Sequence, residues 1–180
     1  ILILLNQVCF TQNTSYIGTL SEPIKPKAPK SGDILFDQMH SPGTSFMLSH
    51  HFTTTASNTE TSAAADDFDV PAGETWDIHS IGIIGSYWQD EPGGGDTLNV
   101  FILNDNNGSP GDTLFESIAH TDFLKMEEMV GLALMTYFEI YLPSIVTLTE
   151  GNYWVSVQMH SDVNTTGKWG WMEHYYDAGF

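Results

Sequence analysis

The sequence predicts an all-β protein, an antiparallel β-sandwich of jelly-roll-like arrangement with at most one short helix near residues 122–131. Three observations lead there. Apolar and polar residues alternate over short runs, Gly, Pro, Asn and Asp punctuate those runs, and amphipathic helical spacing is missing from nearly all of the chain. With 180 residues, 41% of them hydrophobic, the chain can bury a substantial core and is too apolar for disorder. One domain with tails is expected.

At the start, Ile1-Leu2-Ile3-Leu4-Leu5 is an apolar run that breaks at Asn6 and Gln7. It is far too short to span a bilayer. With no Met ahead of it, residues 1–14 are expected to be the remnant of a signal peptide, cleaved between Cys9 and Ser15; an aliphatic first strand fits the same run. Cys9 is the single cysteine, so a disulfide framework and a Cys-based zinc site are excluded. A lipid anchor at Cys9 lacks the small residues normally found before it.

Residues 15–33 read as a linker, since 21–33 holds three Pro and three Lys and little to bury. The sandwich domain is expected over 34–176. An edge strand fits Phe46 to Phe52, followed by a Ser/Thr-rich loop. Phe68-Asp69-Val70 is a strand closed by the turn Pro71-Ala72-Gly73. Alternation resumes at Trp76 and runs through Ile78, Ile81, Ile83 and Ile84 to Tyr87 and Trp88. After the glycine loop from Asp90 to Asp96, Leu98, Val100 and Ile102 form the next strand, and Asn104 to Asp112 the next turn. Residues 117–135 differ, because Phe123, Met126, Met129, Val130 and Leu134 are spaced roughly as on a helix. Tyr137 to Leu142, a break at Pro143, Ile145 to Leu148 and a turn over 149–152 follow. In the last long strand Tyr153, Val155, Val157 and Met159 share one face.

The segment from Ala65 to Ile78, with Phe68-Asp69-Val70-Pro71-Ala72-Gly73 at its centre, resembles the opening of β-sandwich modules in secreted bacterial surface proteins that carry a type IX secretion sorting signal or another anchor. Gly108-Ser109-Pro110-Gly111 and Leu148-Thr149-Glu150-Gly151-Asn152-Tyr153-Trp154 continue the resemblance in order, over about residues 60–172. It implies an accessory module of a larger protein, with other domains of that protein as partners, and no catalytic motif. The ending at Asp177-Ala178-Gly179-Phe180 reads as mid-sequence.

Charge narrows the partners. The 23 acidic residues face 5 Lys and no Arg, for a net charge of -18. Lys25, Lys27 and Lys30 lie in the linker, so residues 31–180 carry 22 acids against Lys125 and Lys168, or about -20. Such a chain repels nucleic acid and anionic membranes and lacks the guanidinium fork for anionic ligands.

Candidate chemistry follows from the residue types. Tyr87, Trp88, Trp169 and Trp171 lie near predicted loops and could stack on the rings of a neutral polysaccharide. Hard oxygen ligands for Ca²⁺ gather in three loops: Asp66, Asp67 and Asp69; Asp90 and Asp96; and Asp105, Asn107 and Asp112. Asp105 to Glu116 imitates an EF-hand loop, but Pro110 stands where that loop requires Gly. The seven His form no HExxH pair and no GxSxG elbow occurs, so a zinc site and a serine hydrolase lack local support. The expected function is a non-catalytic accessory or adhesive module, secreted or at the cell surface, binding neutral glycan or Ca²⁺. The alternative is a glycosidase-type hydrolase using paired carboxylates.

Overall fold

The computed structural model describes residues 2–5, 16–19, 34–39, 42–54, 61–87, 93–95 and 97–174. The strands are β1 (Leu2–Leu5), β2 (Tyr16–Thr19), β3 (Ile34–Asp37), β4 (Pro42–Leu48), β5 (His50–Phe52), β6 (Ala65–Tyr87), β7 (Leu98–Asp105), β8 (Pro110–His120), β9 (Phe123–Val130), β10 (Ala133–Ser161) and β11 (Trp169–His174), with one short helix, α1 (Val163–Thr166). They form one sheet in the order β2-β4-β11-β6-β10-β7-β8, with β1, β3, β5 and β9 off that path. The fold is all-β and mainly antiparallel; among the described residues β1 with β3, β1 with β6, and β5 with β10 are the parallel pairs.

Two long strands organise the sheet. The last part of β6 pairs with the first part of β10 (Tyr87 with Leu134 to Ser80 with Tyr141), and the first part of β6 pairs with the last part of β10 (Val70 with Gly151 to Ala65 with Ser156). Between these blocks the register shifts twice, at Tyr141/Val146 and Thr149/Gly151. The expected turns at Pro71-Ala72-Gly73 and 149–152 and the expected break at Pro143 are therefore irregularities inside continuous strands. Proline has no N–H for the ladder, so Pro71 and Pro143 sit where one strand bows out, and both are exposed. Gly73, at φ 80°, completes the bow by donating its N–H to Glu150 Oε2 at 2.6 Å.

The core lies where the alternation places it. Phe68, Val70, Trp76, Ile78, Ile81, Ile83 and Tyr87 of β6 meet Tyr153, Val155, Val157 and Met159 of β10, Leu98, Val100 and Ile102 of β7, and Trp169 and Trp171 of β11 in one buried cluster. A smaller cluster, with Phe46, Ile84, Met135, Tyr137 and Met172, covers the other face of the β4-β11-β6-β10 region. That region is buried on both faces, which explains the nearly continuous apolar run Ile81-Gly82-Ile83-Ile84.

The stretch with helical spacing is strand. β9 pairs with Ala133 to Ile140 of β10 through a hairpin whose turn holds Gly131 at φ 63°. Lying at an edge, β9 leaves Leu124, Met126 and Met129 exposed, so its apolar residues do not follow the period of two. The helix stands instead at Val163–Thr166, capped by Asp162, whose carboxylate accepts from Asn164 N–H at 2.9 Å. Leu2–Leu5 of the expected leader run pairs with β6 and β3. Tyr16–Thr19 of the expected linker pairs with β4, and the Pro/Lys segment 21–33 lies outside the described residues.

Candidate functional site: a polar recess beside an acidic sheet row

Two of the acidic loops come together although they are far apart in sequence. Asp69 of β6 is the register partner of Asn152 on β10, and Asp67 that of Trp154; on the other side of β10, Tyr153 faces Asn104 of β7. The 66–69 segment and the β7–β8 turn thus flank the same stretch of β10. Next to them lies a recess of about 530 Å³ lined by Asn104, Asp105, Asn106, Gly111, Asp112, Gly151, Asn152 and Tyr153.

The turn is held by its own chemistry. Asn107 at φ 55° and Gly108 at φ 80° take the left-handed conformations that an Asn-Gly pair accepts, and Asn106 N–H closes the turn on Ser109 O at 2.7 Å. Asp105 is the hub. Its Oδ1 accepts from Trp154 Nε1–H at 2.8 Å, and Gly108 N–H lies 3.0 and 3.1 Å from its two oxygens. The Trp154 and Gly108 hydrogen bonds hold the Asp105 carboxyl below the ordinary aspartate value. Asp67 moves the other way: partial desolvation, then the like charges of Asp105 and Asp69, raise its pKa.

The other predicted residues divide into clear groups. Asp66 points inward and is fully buried, its Oδ1 accepting from Asp67 N–H at 3.1 Å, so it does not join Asp67 and Asp69 on the outer face. Asp112 lines the recess, and Asn107 is exposed at the tip of the turn. Trp88, Asp90 and Asp96 lie outside the described residues. Among the described residues no three His, Cys, Asp or Glu come together in a way that could hold a metal ion.

Burial corrects the aromatic expectation. Tyr87, Trp169 and Trp171 are 1%, 0% and 0% exposed, so none offers a ring face to a sugar. The Tyr87 hydroxyl accepts from Gly95 N–H at 2.9 Å, and Trp169 donates Nε1–H to Thr136 Oγ1 at 2.8 Å with its ring edge-on to Phe138. The chain matches no protein-family model, no curated protein and no solved structure.

Sequence reasoning missed Asn152 and Gly151, because they read only as turn residues. The available signal was their place just before the alternating strand Tyr153–Met159, which puts their neighbours in ladder with β6 and β7.

Proposed function

We propose that this chain is a non-catalytic accessory module of a secreted or cell-surface protein, and that its polar recess takes a neutral, hydroxyl-rich glycan. The observation that supports it is the convergence of Asn104, Asn106 and Asn152 with Asp105 and Asp112 around one recess. Amides donate and accept, carboxylates accept, and together they match sugar hydroxyls, which do both. The volume falls within the range of small-ligand pockets. Anionic ligands are disfavoured, because among the described residues no Lys lines the recess and the chain carries -18. With only Asp105 and Asp112 as carboxylates, the recess would hold Ca²⁺ only where amide oxygens and the glycan's own hydroxyls complete the oxygen set. A neutral-glycan array, with and without Ca²⁺, tests the proposal: binding that weakens in Asp112→Asn and Asn152→Ala supports it, and no binding in either condition overturns it.

One observation favours a second reading, the hydrolase. Asp67 is the register partner of Trp154 and Asp105 accepts from the Trp154 indole, so two carboxylates flank one residue, and they are pushed in opposite directions as acid and base are in glycoside hydrolysis. Release of reducing ends from polysaccharides, abolished in both Asp67→Asn and Asp105→Asn, supports the enzyme, and absence of release removes it.

A further inference from the structure

A second polar cluster sits away from the recess, where β5 joins the end of β10. The junction is short: Met159 pairs with His50, His160 with His51, and Ser161 with Phe52. The rings of the cross-strand partners His51 and His160 stack, with centroids 4.9 Å apart and planes at 28°. His160 Nδ1 lies 2.8 Å from Asn99 Oδ1, which also accepts from Ala119 N–H. That oxygen is an acceptor, so Nδ1 carries the proton and neutral His160 keeps Nε2 bare.

His50 is fully buried and its tautomer is fixed as well. Trp169 N–H, which can only donate, points at its Nδ1 at 3.2 Å, so the proton sits on Nε2, 3.0 Å from Ser161 Oγ. Ser161 Oγ continues to Thr166 Oγ1 at 2.7 Å. His50 thereby ties β5, the end of β10 and the first residue of β11 together, and it does so only while neutral. A proton on Nδ1 would set N–H against N–H.

We propose that this junction is an acid-opened clasp: protonation of His50, and of His160 stacked on His51, separates β5 from β10 and uncovers the start of β11 at Trp169. The groups facing the cluster favour that outcome. Around His50 stand His51 from β5, His160 from β10 and, from the segment before β11, Lys168, and a positive charge on any of them repels a new one on His50. The nearby Asp162 carboxylate is turned to the α1 N-terminus. Burial holds His50 at about 4, and desolvation followed by the charge of His51 lowers His160. The sign is therefore fixed: the clasp is closed where His50 and His160 are neutral and is lost as pH falls below the ordinary histidine value toward about 4.

The test is amide hydrogen exchange of the whole chain, read as protection factors, between about pH 7 and about pH 4.5. Thr53 N–H bonded to Ser161 O, Met159 N–H bonded to Ser49 O, and Trp169 N–H report on the clasp. Their protection should fall by roughly tenfold or more while the β6–β10 ladder keeps its own. In His51→Gln and His160→Gln the drop should shrink. Unchanged protection at the three amides, or a fall shared by the whole sheet with the same midpoint in the variants, overturns the clasp. Histidine ring NMR titration of the unmodified chain gives an independent check, and a free, unshifted His160 titration contradicts it.

Discussion

Trp154 donates its indole N–H to Asp105 Oδ1 at 2.8 Å, tying the outer face of β10 to the β7–β8 turn. Trp154 is buried and Asp105 is partly exposed, so the bond closes the turn over the sheet. Asp105→Ala should lower the melting temperature more than Asp105→Asn, which keeps an acceptor for Trp154 and Gly108. The pH dependence has a definite sign. Because the folded carboxyl lies below its ordinary value, its contribution is complete above about pH 4 and is lost only as pH falls through the depressed value. Melting curves of wild type and Asp105→Asn should accordingly differ at neutral pH and converge in strong acid; equal melting temperatures at neutral pH would contradict the hub role.

Gly85 marks the tightest approach in the core. A Cβ there would lie 2.0 Å from Trp169 Cζ2 and 2.7 Å from the backbone oxygen of Gly170. Neither neighbour can retreat, since the Trp169 indole is held by Thr136 and the Gly170 backbone is in the β6–β11 ladder. Gly85→Ala should destabilise the fold by about 3 kcal/mol or prevent folding. Chemical denaturation measures it, and a loss under about 0.5 kcal/mol would mean that the indole is freer than its contacts indicate.

Where a period of two runs along one strand, the sequence is readable. Tyr153, Val155, Val157 and Met159 alternate, and all four lie in the main core. The acidic segments were readable as loops and strand ends, but their meeting was not. Asp69 faces Asn152 across a ladder set by two register shifts, and those shifts depend on how Pro71 and Pro143 bow out of partner strands. Burial of Trp169 and Trp171 was equally hidden, because an aromatic residue beside a glycine, as both are beside Gly170, reads the same on a loop as on a central strand. The histidine pair was invisible for a related reason: His51 and His160 become neighbours only through the β5–β10 pairing.

Thr136→Val tests the partner of the buried indole. The substitution keeps shape while removing the oxygen that accepts from Trp169 Nε1 at 2.8 Å, in a site where both residues are 0% exposed. An unsatisfied buried N–H should destabilise by about 1–3 kcal/mol. Thr136→Ser, which keeps the hydroxyl, should lose less than Thr136→Val if the hydrogen bond dominates, and denaturant midpoints decide the order.

Tyr87→Phe addresses the link between β6 and the loop before β7. The phenol oxygen accepts from Gly95 N–H at 2.9 Å, and Gly95 is wedged so closely that a Cβ on it would lie 2.2 Å from Met159 Sδ and 2.5 Å from that same oxygen. Removing the hydroxyl leaves a buried backbone N–H without this acceptor, a loss of about 1–2 kcal/mol. Gly95→Ala should cost at least as much by overpacking, and because both changes act on one contact their effects should not add. A double-mutant cycle checks this: a combined loss equal to the sum of the two would show that Tyr87 and Met159 do not close on Gly95 as a unit.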